Sequence, residues 1–144
     1  MTQSKITMED LKILVVDDSF DALTLIMGML KDLGINQIFT AKDGKEALEL
    51  LGADEDNSLV NLVLCDWNMP RMTGIELLSQ VRTVDPTMPF VMITGSADVQ
   101  SIREAKSHGV SGYIKKPFSV TESKKKLSAM TRIIAHRQSG SENV

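Results

Sequence analysis

The stretch Val63–Gly74, VLCDWNMPRMTG, passes through three patterns in quick succession. An apolar run ends abruptly on Asp66, the chain's only tryptophan follows as Trp67, and a turn from Pro70 to Gly74 leads onward. Thr73 with Glu76 fits a capping box, so the stretch reads as strand, turn and helix start. A strand that stops on a carboxylate is ordinary turn chemistry by itself, because Asp readily begins an Asx-turn. The meaning of Asp66 therefore depends on what else the chain delivers to that end of the strand.

The same unit recurs along the chain. Apolar runs occupy Lys12–Val16, Gln37–Ala41, Leu59–Cys65, Phe90–Thr94 and Gly112–Ile114. Most are continuous Val/Ile/Leu runs rather than strict alternations, as in parallel strands covered on both faces. The second is the most polar and suits a sheet edge. Between the runs, helical spacing gives the stripes Ala22/Ile26/Met29/Leu33, Ala47/Leu48/Leu51, Ile75/Leu78/Val81 and Val120/Leu127/Met130/Ile134, the last interrupted by Ser123. Asp43…Glu46 and Ser119…Glu122 repeat the capping-box spacing, while Gly34, Gly52 and Gly109 stand where helices should stop. The expectation is an α/β fold, (βα)5, with a doubly wound open parallel sheet. One domain over residues 11–136 follows, with a polar segment at 1–10, an acidic loop from Gly52 to Ser58, and a disordered tail at 137–144.

Composition narrows the function classes. The chain has 144 residues, 42% hydrophobic and 24% charged, enough for a core without disulfide or metal staples. A net charge of −3 argues against a surface built to coat nucleic acid. The single cysteine, Cys65, has no internal disulfide partner, which suits a reducing compartment. No run is long enough to span a bilayer and the N-terminus lacks an apolar signal region, so a cytoplasmic protein is expected.

In a parallel sheet all strand C-termini meet one edge, where ligands bind at the topological switch point. The first strand delivers Asp17 and Asp18 there, the third Asp66, the fourth Thr94 and the fifth Lys116. Each has an ordinary role available: Asp18 or Ser19 as a helix cap, Thr94 as a strand residue, Lys116 as a solvated lysine. Together they are more telling. Clustered carboxylates raise one another's pKa unless a cation neutralises them, and all-oxygen ligation suits Mg²⁺ beside a phosphate. Lys116 and Thr94 then supply a point charge and a hydrogen bond for phosphoryl oxygens. There is no GxxxxGK[ST] or GxGxxG nucleotide cradle, so the phosphoryl group comes from another molecule, with a carboxylate as nucleophile.

LVVDDS (Leu14–Ser19), CDWNMPRMTG (Cys65–Gly74), MITGS (Met92–Ser96) and GYIKKPF (Gly112–Phe118) resemble the receiver domain of two-component response regulators, closest to the single-domain chemotaxis type. The resemblance implies a flavodoxin-like strand order 2-1-3-4-5 and Asp66 as acceptor of a phosphoryl group from a histidine kinase or histidine phosphotransfer protein. It further implies Mg²⁺ or Mn²⁺ held by Asp18, Asp66 and the Asn68 carbonyl, with Asp17 acting through water. Lys116 and Gly95 would serve the phosphoryl group, the Lys116–Pro117 bond would be cis, and Thr94 with Tyr113 would form a switch pair. Such a chain is a phosphoacceptor that assists its own phosphorylation and dephosphorylation rather than an enzyme acting on a separate substrate. Its output would be an effector protein, as yet unspecified, bound by the surface of the fourth helix, fifth strand and fifth helix.

Some residues tune this reading. Asn68, Gly95 and Ser96 flank the path of a hydrolytic water. Leu23 and Met27 make the first helix unusually apolar, and with Pro117 they are expected to dock the phosphodonor's helical bundle. A monomer or weak dimer is expected, with no membrane or nucleic-acid partner. The alternative role is a phosphate sink or phosphorelay intermediate without an effector. A haloacid dehalogenase-type hydrolase is disfavoured because it needs a second Asp two residues after the nucleophile, where this chain has Asn68.

Overall fold

The computed structural model describes residues 7–52, 60–95, 99–116 and 119–140; the acidic loop beyond Gly52, Leu59, Ser96, Pro117 with its expected cis bond, Phe118 and residues 141–144 of the expected tail lie outside them. A short 3-10 turn at Met8–Asp10 precedes β1 (Lys12–Val16), α1 (Phe20–Asp32), β2 (Gln37–Ala41), α2 (Gly44–Leu51) and β3 (Leu62–Asp66). There follow α3 (Gly74–Val84), β4 (Phe90–Thr94), α4 (Val99–Ser107), β5 (Gly112–Lys115) and α5 (Val120–Gly140). The strands pair in parallel in the order β2-β1-β3-β4-β5, the order expected, with the polar β2 at an edge.

Strand periodicity sorts the core into two layers. Leu14, Val16, Val63, Cys65, Phe90 and Met92 pack on the side of α2 and α3. Ile13, Val15, Leu62, Leu64, Val91 and Ile93 pack on the other side, against α1 and α5. Successive side chains alternate between faces, so runs that are apolar throughout serve both layers at once. Each fully buried Leu, Ile or Phe contributes about 1.5–3 kcal/mol relative to exposure, and this burial sets the sheet against its helices.

Helix ends follow local chemistry. Ser19 caps α1 by accepting from the Ala22 N–H at 3.2 Å. Asp43 accepts from Glu46 N–H at 2.8 Å, and Thr73 with Glu76 closes a reciprocal capping box on α3. Gly34 and Gly109 take φ of +90° and +84° just after α1 and α4, conformations that an L side chain resists.

Several boundaries move. β3 begins at Leu62, because Asn61 is occupied in joining the chain to β1. Its side chain accepts from Lys12 N–H at 2.8 Å and its own N–H donates to the Lys12 carbonyl at 2.6 Å. Val120, counted in an apolar stripe, is 45% exposed because it opens α5 at the molecule's rim. α5 continues to Gly140, so the boundary expected at residues 136/137 falls inside a helix. No stripe marks α4 in the sequence, and its one buried apolar side chain among the described residues is Ala105. No helix of the described residues is long and apolar enough to cross a membrane.

Candidate functional site

Register brings the strand ends level. Val16 pairs with Cys65, so Asp17 and Asp66 come next side by side. Asp66 pairs with Ile93, placing Thr94 one step beyond it, and Thr94 pairs with Lys115, placing Lys116 one step further still. Ligand atoms of Asp17, Asp18 and Asp66 all lie within 4.8 Å of one another. The Lys116 ammonium donates to Asp17 at 3.2 Å and to Asp66 at 3.3 Å, tying the fifth strand's end to the first and third.

Burial differs sharply across this group. Asp17 is fully buried, Asp66 is 6% exposed, and Asp18 is exposed. Asp17 is held from three sides: its N–H donates to the Ala41 carbonyl, one oxygen accepts from Ser19 N–H at 2.9 Å, and the other faces Lys116. Burial, then the neighbouring Asp17, pushes the Asp66 carboxyl above its ordinary pKa, and Lys116 only partly offsets this. Burial alone would lower the Lys116 pKa, but Asp66 and Asp17 outweigh it and hold the ammonium above its ordinary range. Three carboxylates facing one ammonium leave an excess of negative charge in a partly dry site. The donor set is all oxygen, open on the Asp18 side, and fits a hard divalent cation such as Mg²⁺.

The loop after Asp66 is tightly organised. Trp67 N–H donates to the Ile93 carbonyl at 2.9 Å, and the Trp67 carbonyl accepts from Gly74 N–H at 2.8 Å. The half-buried Trp67 ring packs on the α2/α3 layer. A Cβ at Gly74 would stand 2.7 Å from the Asp66 carbonyl oxygen, so the helix start approaches the acidic strand end closely enough to require glycine. Arg71 has φ of +73°, and Met72 N–H donates to the Pro70 carbonyl at 2.8 Å, a γ-turn centred on Arg71. Asn68 is exposed two residues past Asp66, and Gly95 is exposed just past Thr94.

Thr94, 2% exposed, and the half-buried Tyr113 belong to the opposite strand parity from Asp66 and Lys116. Tyr113 packs on the layer of α2 and α3 that also holds Ala105 of α4. Of the docking residues, Leu23 is half-buried against the α1/α5 core and Met27 is half-buried. Phe20, 79% exposed, and Leu25, 41% exposed, are the more accessible apolar residues of α1. Phe20 was open to detection as an aromatic directly after the acidic pair and its cap. The roles of Gly74 and Arg71 carried weaker signals: a glycine after a turn, and a position needing positive φ filled by arginine.

The match to known proteins agrees with this geometry. Residues 13–128 match the response regulator receiver domain family. The chain is 40% identical over 121 residues to Chemotaxis protein CheY-3 of Vibrio cholerae, covering 83% of this chain and 90% of that protein. It is 40% identical over 119 residues to Chemotaxis protein CheY of Pseudomonas aeruginosa, covering 81% and 93%. The crystal structure of Vibrio cholerae CheY4 superposes with a TM-score of 0.71 at 32% identity, over 83% of this chain and 97% of that one. A signal receiver domain of an HD domain-containing protein from Pseudomonas fluorescens superposes over the full length of both chains with a TM-score of 0.80 at 26% identity. Parallel strand order, acidic cluster, bridging lysine and sequence similarity lead to one conclusion: this chain belongs to the response regulator receiver domain family, as a signalling protein rather than a classical enzyme.

Proposed function

We propose that the chain is a stand-alone phosphorylatable switch, accepting a phosphoryl group on Asp66 from a histidine kinase or histidine phosphotransfer protein. The observation that carries this reading is the group of Asp17, Asp18 and Asp66 gathered within 4.8 Å, with Lys116 bridging two of them. In the transfer, an Asp66 oxygen attacks phosphorus and the phosphorus–nitrogen bond of the donor breaks. The electron pair stays on the imidazole nitrogen, which takes up a proton, and an acyl phosphate remains. Asp18, Asp66 and the Asn68 carbonyl would hold Mg²⁺, with Asp17 acting through water; the ion supplies neutralisation of the equatorial oxygens. Lys116 keeps its charge at any physiological pH and sits where a phosphoryl oxygen would replace its contact with Asp66.

The added charge of about −1.5 to −2 then biases Thr94 and Tyr113, and through them the surface of α4, β5 and α5, toward an effector. The similarity to chemotaxis proteins supports an output of this kind. On the donor side, Phe20, Leu23 and Met27 share one face of α1 at helical spacing, Phe20 exposed and the other two half-buried. Leu23 takes part only through its exposed edge, and Pro117 borders the same site in sequence. Leu23→Ser with Met27→Ser is expected to slow transfer from a protein donor about tenfold while leaving a small-molecule donor unchanged, since lost docking contacts of about 1.4 kcal/mol correspond to that factor.

The deciding experiment is incubation with Mg²⁺ and acetyl phosphate, followed by intact mass for the wild type and Asp66→Asn. A gain of one phosphoryl group in the wild type alone is expected. No gain, or the same gain in the variant, removes Asp66 as acceptor. Capture of a partner by the phosphorylated form alone separates an effector-binding switch from a phosphate sink.

A further inference from the structure

Tyr113 is the chain's only tyrosine, and its half-buried ring has a neighbour on α5 outside the acidic cluster. The Lys126 ammonium stands over the ring, 5.4 Å from its centroid, within the range of a cation–π contact. Glu122 lies one helical turn before Lys126, the usual place for an ion pair, yet among the described residues no such pair forms. Lys126 also lines a groove of about 290 Å³ together with Lys115 and Lys116. Glu122 lines that groove as well, and Lys116 there is already paired with Asp17 and Asp66, so the Lys126 ammonium rests on the electron-rich ring face rather than in an ion pair. The ring thus meets the apolar layer around Met92 and Ala105 along its buried part and a cation on its face.

We propose that Lys126 is a positioning residue for Tyr113, holding the ring half-way out and setting the ease with which the switch surface converts. The inference rests on the switch reading above. Insertion of the ring requires it to leave the ammonium, so the contact weights the unphosphorylated arrangement. Removal of the charge with the stem retained, as in Lys126→Met, frees the ring; Lys126→Arg keeps a cation over it.

A single tyrosine makes the test direct. With 3-fluorotyrosine incorporated, the protein gives one ¹⁹F tyrosine resonance. Lys126→Met is expected to shift it in the unphosphorylated protein, Lys126→Arg to restore most of the original shift, and Lys125→Met to leave it unmoved. Trp67 emission, titrated with beryllofluoride at saturating Mg²⁺, is expected to report a two- to fivefold tighter apparent affinity for Lys126→Met, the factor that one exposed cation–π contact commands. That gain should persist in a Tyr113→Phe background, which retains the ring face, and vanish in Tyr113→Leu. An unmoved ¹⁹F resonance, an equal shift from Lys125→Met, or an unchanged affinity overturns the proposal. If beryllofluoride has no effect even on the wild type, the receiver reading of Asp66 fails instead, whatever the resonance does.

Discussion

At the scale of single residues, burial and the neighbouring Asp17 work against the ionised form of Asp66. Its raised pKa means that the folded state holds the proton more tightly than the unfolded chain does. The stabilisation linked to that proton is complete below the ordinary value of 3.8 and is lost as pH rises through the higher folded value. Asp66→Asn is therefore expected to melt a few degrees above wild type at pH 7 in chelator, with the gap closing toward pH 4. Paired thermal melts across that range check it, and a variant less stable than wild type at pH 7 contradicts it. Lys116 has the alkaline limb: its contribution is complete below 10.5 and is lost as pH rises through its own raised value.

Arg71 is held at φ of +73° by the γ-turn from Pro70 to Met72. A left-handed non-glycine costs on the order of 1–3 kcal/mol, most for β-branched side chains. Arg71→Val is expected to destabilise by about 1–2 kcal/mol, and Arg71→Gly to be neutral or stabilising despite its more flexible unfolded chain. Urea unfolding midpoints of the two variants are the measurement.

At the scale of elements, α3 does more than cover the sheet. Its first residue, Gly74, abuts the carbonyl of Asp66 and the Met92 sulfur, both at 2.7 Å from a hypothetical Cβ. Gly74→Ala is expected to cost about 2–3 kcal/mol by overpacking. It should also slow acetyl phosphate uptake, because the clash falls on the backbone of Asp66, the proposed acceptor. Loss of stability with unchanged uptake would show that the close approach serves packing alone. The same elements show how far local patterns reach. Caps at Asp43 and Thr73 stand where their spacing placed them, since a cap involves only residues three apart, and of Asp18 and Ser19 it is Ser19 that caps α1.

At the scale of the molecule, the ends of β1 and β3 bring three carboxylates together beside Lys116 at the end of β5, a grouping whose excess negative charge a divalent cation would neutralise. Mg²⁺ is expected to raise the melting temperature and alter Trp67 emission, with stabilisation of about 1.4 kcal/mol at tenfold excess over its dissociation constant. Asp18→Asn should remove most of that gain while barely changing stability in chelator, because Asp18 is exposed and acts through its charge. Differential scanning calorimetry with and without Mg²⁺ decides it.

Periodicity and capping marked five strands and four of the five helices, and with them a parallel sheet and the arrival of Asp17, Asp18, Asp66, Thr94 and Lys116 at one edge. These are properties of neighbours a few residues apart, and side-chain alternation along a strand carries them into three dimensions. Tertiary structure alone decided how those groups meet: Lys116 reaching Asp17 across 99 residues, Asp17 buried while Asp18 stays in water, Lys126 over the Tyr113 ring, and Gly74 against Asp66. Charge, burial and close approach between distant segments depend on strand register and helix packing, which no local window of sequence contains.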